Sequence, residues 1–368
     1  MRRLVRLTVL ACVGAFALAF AGSALAAYTP TYSVNTPGTL GGAGTTTLNI
    51  KFAQGDQATA RIVLYVPTGY VGTYNQAAGT QIGTVSATVL ATQLGPSVSL
   101  PLTGTINVVP QSQVAATATA CTGTATHTAY WVFTLSAANQ PPLNVPVFLD
   151  VTAGAETALG AAKLTTCLTS PAATSFGAKP TEIHASFNNV WTNPSSAGQF
   201  VWDGIFTPYT ADNGVPSPAG TVEARAIVGT PTRLGIRAKN VSKKKVKFVK
   251  KNGKKRKVTT VQRRVLVSGS LSEGGQPVGS QSIVLLLGRS PGALKASFTT
   301  TTNDAGAFGG TIALKKPGRY YFQVRATVPD RDATAAGCAQ PNPAVPGGCV
   351  SATLSGFTAV SARVSVKV

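Results

Sequence analysis

The chain has 368 residues, 44% of them hydrophobic, with 32 lysines and arginines against 11 acids and a formal net charge of +21. That charge is not spread along it: residues 28–230 carry five basic side chains against seven acidic ones, and residues 231–368 carry 24 against four. A uniformly basic chain is excluded, and a near-neutral first part is set against a strongly basic second one.

The first residues predict export. Arg2, Arg3 and Arg6 precede an apolar run from Leu7 to Phe20, and Ala24-Leu25-Ala26 supplies a small-x-small cleavage site. Residues 1–26 therefore read as a secretory signal peptide. The run is short and carries Gly and Thr, which argues against an uncleaved anchor. Val9-Leu10-Ala11-Cys12 lies too near the start for a lipobox. No second long apolar run follows, so no transmembrane segment is expected in the mature chain, which belongs outside the cell or in its envelope.

Removing the leader leaves Cys121, Cys167, Cys338 and Cys349, an even set in an exported chain. Three pairings are open. Cys121–Cys167 with Cys338–Cys349 is favoured, because each bridge then stays within one domain. The shorter closure stabilises by about 3 kcal/mol in the chain-entropy picture. The cysteines lack paired C-x-x-C spacing, and His127 and His184 are the only histidines, so no metal and no cofactor is expected.

Residues 28–228 are rich in Thr, Ala and Gly. Strand-like runs recur at Thr46–Phe52, Ala60–Val66, Thr80–Leu90, Val98–Val108, Tyr130–Ser136, Val145–Thr152, Ala161–Leu168, Glu182–Phe187 and Gln199–Phe206. No stretch keeps a helical period. The pattern predicts one large antiparallel β-sandwich, or two small ones, with Trp131 in the core.

Chemistry is sparse in this part. His127 and His184 read as satisfied or surface histidines, with no triad or ligand set apparent. Glu182, Asp203 and Asp212 include the carboxylates a glycosidase pair would need, but solvated loop acids are the expectation. Trp191, Trp202, Phe206 and Tyr209 have the composition of a sugar platform, and core packing is the expectation. Ser175 and Ser195 stand in no G-x-S-x-G context. Gly41-Gly42-Ala43-Gly44 lacks the lysine of a phosphate loop. No catalytic residue is assigned.

Arg233 to Arg264 holds fifteen basic residues and no acid. At its centre Asn252-Gly253 lies between strand-like flanks, the strongest short hairpin signal. The spacing predicts a hairpin over residues 243–261 that pairs Lys251 with Lys254 and Lys250 with Lys255, with Phe248 facing Lys257 and Val249 facing Arg256. Like charges opposite each other destabilise a ladder. Two readings compete. One is a solvated ribbon whose lysines keep a β edge from pairing with other chains. The other is a polyanion contact through Lys250, Lys251, Lys254, Lys255, Arg256 and Lys257. Its ligand would be an anionic envelope polymer, an acidic polysaccharide, anionic lipid head groups or released DNA. Phe248 alone interleaves the charges, so base stacking and specific nucleic-acid recognition are not expected.

The stretch Val265–Val328 declares a fold. Strands alternate with the turns Glu273–Pro277, Asn303–Gly306 and Lys316–Gly318. Its pattern comprises Ser268, Gly269, Leu271, Pro277, Asp304, Ala305, Gly306, Phe308, Pro317, Gly318 and Tyr320. It resembles bacterial immunoglobulin-like domains, and the carboxypeptidase-regulatory-like sandwich shares the D-A-G-x-F turn. The resemblance covers Arg233–Val368 and implies architecture and surface display, with no catalytic residue. The expected fold is all-β: a large antiparallel sandwich over residues 28–228, then an immunoglobulin-like sandwich over residues 229–368 bearing the basic hairpin. The expected function is a non-enzymatic binding or structural module. The alternative is an exported hydrolase or carbohydrate-binding module with its site in the first domain.

Overall fold

The computed structural model describes residues 28–94, 98–137, 141–173, 177–210, 214–252 and 254–368. The leader with Cys12, together with Ser175, Asp212 and Gly253, lies outside the described residues.

In the first part the strands are β1 Thr31–Asn35, β2 Ala43–Lys51, β3 Thr59–Val66, β4 Val71–Gly72, β5 Gln81–Ala91 and β6 Ser99–Val108. After helix α1, Gln111–Thr122, come β7 Ala129–Ser136, β8 Leu143–Val151, β9 Ala162–Cys167, β10 Ala178–Thr192, β11 Gly198–Pro208 and β12 Val222–Thr230. They pair in the order β1-β2-β10-β5-β6-β7-β8-β9-β3-β11-β12, with β4 on β10. Alternation sorts the side chains. Leu48 and Ile50, Val85 and Ala87, Trp131, Phe187, Trp202 and Ala224 turn inward to one core. The outward positions are short and polar. Asn35, Thr47, Ser186, Thr84, Thr105 and Thr134 stand opposite one another across six strands. This is where the threonine of the composition goes.

Helix α1 was not expected. Pro110 precedes it, and Gly123 ends it in the left-handed region at φ 82°, where its N–H reaches the Thr119 carbonyl. The helix buries only Val114 and Ala118, against Tyr130, Val132 and Phe148 on the outer side of β7 and β8. Two small apolar residues among threonines leave no helical period to read. The Cys121–Cys167 disulfide ties its last turn to β9.

The second part contains β13 Thr232–Asn240, β14 Lys243–Lys251, β15 Lys254–Gln262, β16 Arg264–Glu273, β17 Gln276–Pro277, β18 Ser282–Gly288 and β19 Lys295–Thr301. These are followed by β20 Ala307–Ala313, β21 Arg319–Val328, β22 Arg331–Asp332, β23 Cys349–Leu354, β24 Phe357–Val360 and β25 Val364–Lys367. One sheet is β13-β16-β20 with β17 folded onto β16; the facing sheet is β19-β18-β21, with β24 and β25 both on β21. Leu234, Val267, Leu271, Ile283, Leu285, Phe308, Phe322 and Val324 pack between them. Leaving out the hairpin, the first, second and fifth long strands (β13, β16, β20) lie on one side and the third, fourth, sixth and last (β18, β19, β21, β25) on the other, an immunoglobulin-like wiring.

This sandwich is interrupted along the chain. Between β21 and β24 the chain leaves this sandwich. Strand β23 pairs in parallel with β12, and β22 pairs antiparallel with β23, so both extend the first sheet. The Gly/Pro/Ala-rich composition of residues 329–351 hid them. The cause is the uncovered edge of β12, whose backbone groups Cys349–Leu354 satisfy. The chain passes between the two bodies near Pro231, Pro329 and Gly356. Glu273 braces the junction, accepting from Gly229 N–H at 3.3 Å and from Arg331 Nη2 at 2.5 Å. The Cys338–Cys349 disulfide closes the excursion.

Replacing Cys338 and Cys349 together by Ser is expected to cost about 3 kcal/mol in denaturant unfolding, and replacing Cys121 and Cys167 about 4 kcal/mol. Hydrogen exchange should accelerate in β23 in the first variant and in α1 in the second; unchanged exchange in those elements would refute the assignment of what each bridge holds.

Candidate functional site

Strands β14 and β15 form a sheet of their own, with no third strand among the described residues. The ribbon is inserted between β13 and β16, which pair directly with each other from Thr232↔Glu273 to Asn240↔Val265. Its base is fixed: Val241 N–H donates to the Arg264 carbonyl at 2.9 Å, Arg264 N–H to Ser242 Oγ at 3.1 Å, and Asn240 Nδ2 to the Lys367 carbonyl at 2.9 Å. The register runs Lys243↔Gln262 to Lys251↔Lys254, with Lys250↔Lys255, Val249↔Arg256 and Phe248↔Lys257. Asn252 takes a positive φ of 50°, as the turn requires.

Lys250, Lys254, Lys255, Arg256 and Lys257 are all exposed. Among the described residues no ion pair involves a hairpin cation; every salt bridge lies elsewhere. The result is a projecting cationic finger whose charges repel across the ladder.

The other candidates disperse. Trp191, Trp202 and Phe206 are wholly buried, and Tyr209 is nearly so. Trp191 and Trp202 meet edge to face at 5.6 Å between ring centres. They form core, not a platform. Glu182 lies on the outer face, 2.9 Å from Lys51 Nζ and 3.1 Å from His184 Nε2. Asp203 lies on another strand, β11, seven places along the sheet from β10. The structure does not bring the two acids together, and Asp212 is outside the described residues. Ser195 is exposed in the turn between β10 and β11.

His127 has more company than expected. Its Nδ1 meets Asp150 Oδ2 at 2.9 Å, its Nε2 meets Thr122 Oγ1 at 3.0 Å, and the ring stacks on Phe148 at 5.0 Å. Its side chain is shut away from solvent, so it fastens the end of α1 to β8 as a satisfied buried histidine. Among the described residues no group of three or more His, Cys, Asp or Glu is arranged to hold a metal ion. No helix among them is long and apolar enough to cross a membrane.

One cluster escaped sequence reasoning and corrects the expectation of a solvated Asp203. Asp203 is 4% exposed and Glu223 fully buried. Asp203 stands opposite Arg225, two residues along β12 from Glu223. The Arg225 guanidinium binds Glu223 and donates to the carbonyls of Gly337 at 2.9 Å and Gln340 at 2.8 Å. Glu223 Oε2 accepts the Asn342 N–H at 2.8 Å. Burial first, and then the facing Glu223 carboxyl, push Asp203 up to about 8. The signal available was Glu and Arg alternating with alanines in Val222-Glu223-Ala224-Arg225-Ala226: charge on both outward positions of a strand that is not solvent-facing.

No protein-family model matches the chain, and no curated protein matches it. Among solved structures, domains D2 and D3 of the major pilin SpaD from Corynebacterium diphtheriae align at 11% identity, covering 81% of this chain and 82% of that one, with a TM-score of 0.24. The D0-D1 domain of intimin aligns at 11% identity over 92% and 97% of the two chains, with a TM-score of 0.20. Superpositions this loose carry no argument, and the architecture rests on strand pairing alone.

Asp203 gives a pH test with a definite sign. Folded, it keeps its proton up to about pH 8; unfolded, it loses it near 4. Its stabilising contribution is complete below about pH 4 and falls as pH rises toward 8, by about 1.4 kcal/mol per unit for this single group. Asp203→Asn should flatten that slope in urea unfolding and be more stable than the parent at the alkaline end. An unaltered slope would show that Asp203 is ionised in the fold.

Proposed function

We propose that the protein is an exported, non-enzymatic component of a bacterial envelope or cell surface, and that its hairpin fastens it to an anionic constituent there. The reading is supported by one observation above others: a two-stranded ribbon standing off a braced two-domain body, with its cations exposed and unpaired among the described residues. An edge guarded by lysines needs a strand to guard, but β14 and β15 cap no larger sheet. They carry their charge outward from one with no other members. The leader read in the sequence supports export, and the two disulfides fit an oxidising compartment.

Changing Lys250, Lys251, Lys254, Lys255, Arg256 and Lys257 to Gln tests this directly. Against a negatively charged surface each basic side chain counts for about 1 kcal/mol. Salt-sensitive retention on isolated cell envelope should therefore fall by orders of magnitude, while the thermal transition of the two sandwiches stays in place. Retention equal to the parent's at low salt would reject the role.

A further inference from the structure

The hairpin carries more than charge. Alternation and register divide its side chains between two faces. One face holds Lys244, Val246, Phe248 and Lys250 from β14, opposite Val261, Thr259, Lys257 and Lys255 from β15. On it Val261, Val246 and Phe248 follow one another diagonally toward the tip, and Lys250, Lys255 and Lys257 surround the end of the stripe. The other face repeats the pattern with Val249 and Val258 beside Lys247 and Arg256. These apolar side chains are open to solvent: Phe248 is 69% exposed, Val246 47% and Val261 37%.

We infer that the anionic constituent contacted by this hairpin is the headgroup layer of a lipid bilayer, into which Phe248, Val246 and Val261 dip while the surrounding cations pair with phosphates. The inference rests on the polyanion reading above and narrows it. A water-soluble polyanion uses the lysines and leaves the apolar stripe idle. A bilayer interface uses both, because its phosphates lie directly above its acyl chains. Combining a basic cluster with an apolar anchor also meets the need for two weak signals in stable peripheral attachment. The ribbon has two open edges whose backbone groups have no strand partner among the described residues. Such groups are costly in hydrocarbon, so the hairpin rests at headgroup depth and does not span. The fixed base at Asn240, Ser242 and Arg264 holds one end of the ribbon to the body while this face lies along the surface.

The test uses the intact protein with vesicles of equal parts phosphatidylglycerol and phosphatidylcholine, vesicles of phosphatidylcholine alone, and soluble polyphosphate. The parent should bind the mixed vesicles and not the neutral ones. The triple variant Val246→Ser, Phe248→Ser, Val261→Ser keeps every cation; it should bind mixed vesicles at least about tenfold more weakly, given what burying such side chains contributes, and bind polyphosphate as the parent does. A Phe248→Trp variant reads insertion directly, since Trp131, Trp191 and Trp202 are buried and do not respond to the surface. Its emission should move to shorter wavelength on mixed vesicles. Parent-like vesicle binding by the triple variant, or an unmoved Phe248→Trp emission, overturns the lipid inference and leaves the polyanion reading standing. Vesicle and polyphosphate binding that both survive in the six-cation Gln variant overturn both.

Discussion

A carboxylate with no exposed surface has to be covered, and Glu223 is covered by chain that returns from the other domain. It projects from the outer face of β12, where an exposed sheet would place a solvated acid. What meets it is the segment beyond Asp332, through the Asn342 N–H, while Arg225 reaches the Gly337 and Gln340 carbonyls. Buried charge of this kind is tolerated only when its partners are complete, and removing one partner is far costlier than never having had the pair. The immunoglobulin-like domain is therefore discontinuous. Its sixth and last strands are separated by a loop that is structurally part of its neighbour. Two bodies joined by one linker would swing; joined by three crossings and the Glu273–Arg331 pair, they form a support from which something can be held out.

What is held out contradicts local energetics. Lys250↔Lys255 places like charges in register near the turn, and an isolated hairpin is marginal in water to begin with. Phe248 in solvent adds a further unfavourable contact. A sequence obeying stability alone would put Glu or Thr at those sites, as the outer face of the first sheet does with its rows of Thr, Ser and Asn. Departure from local consistency in a projecting element is the expected mark of a function.

Much of this was legible in the residues and some was not, for identifiable reasons. Nine strands of the first part announce themselves by alternation or apolar runs, and the Asn-Gly turn sets the hairpin register, because period and turn chemistry are local properties. The immunoglobulin-like turns around Asp304 and Gly318 are equally local. Helix α1 was invisible because it hides only Val114 and Ala118 under a disulfide. Strands β22 and β23 were invisible because they exist only where β12 leaves an edge to fill, which is a fact about a strand more than a hundred residues away. Asp203 was misread for a similar reason: acids are solvated by default, and this one lies between Tyr65 of β3 and Arg225 of β12, strands distant from it in sequence or covered in turn by the excursion. Trp191 and Trp202, by contrast, were placed correctly in the core by the ordinary expectation for large apolar rings.

The uneven charge of the two halves then acquires a mechanical meaning. A molecule that met an anionic surface with cations scattered over it would adhere in any orientation. Here the first domain is close to neutral, with acids such as Glu156 and Glu182 paired to lysines, and its polar face is built of hydroxyl and amide groups that neither attract nor repel an anion. The field that steers approach comes from the second domain and is most concentrated at the hairpin. On the function proposed above, that field would turn the hairpin toward an anionic surface first, with the junction at Glu273 behind it. Under that proposal, charge segregation and domain bracing would work together: the former would select the end that touches, and the latter would hold the rest behind it.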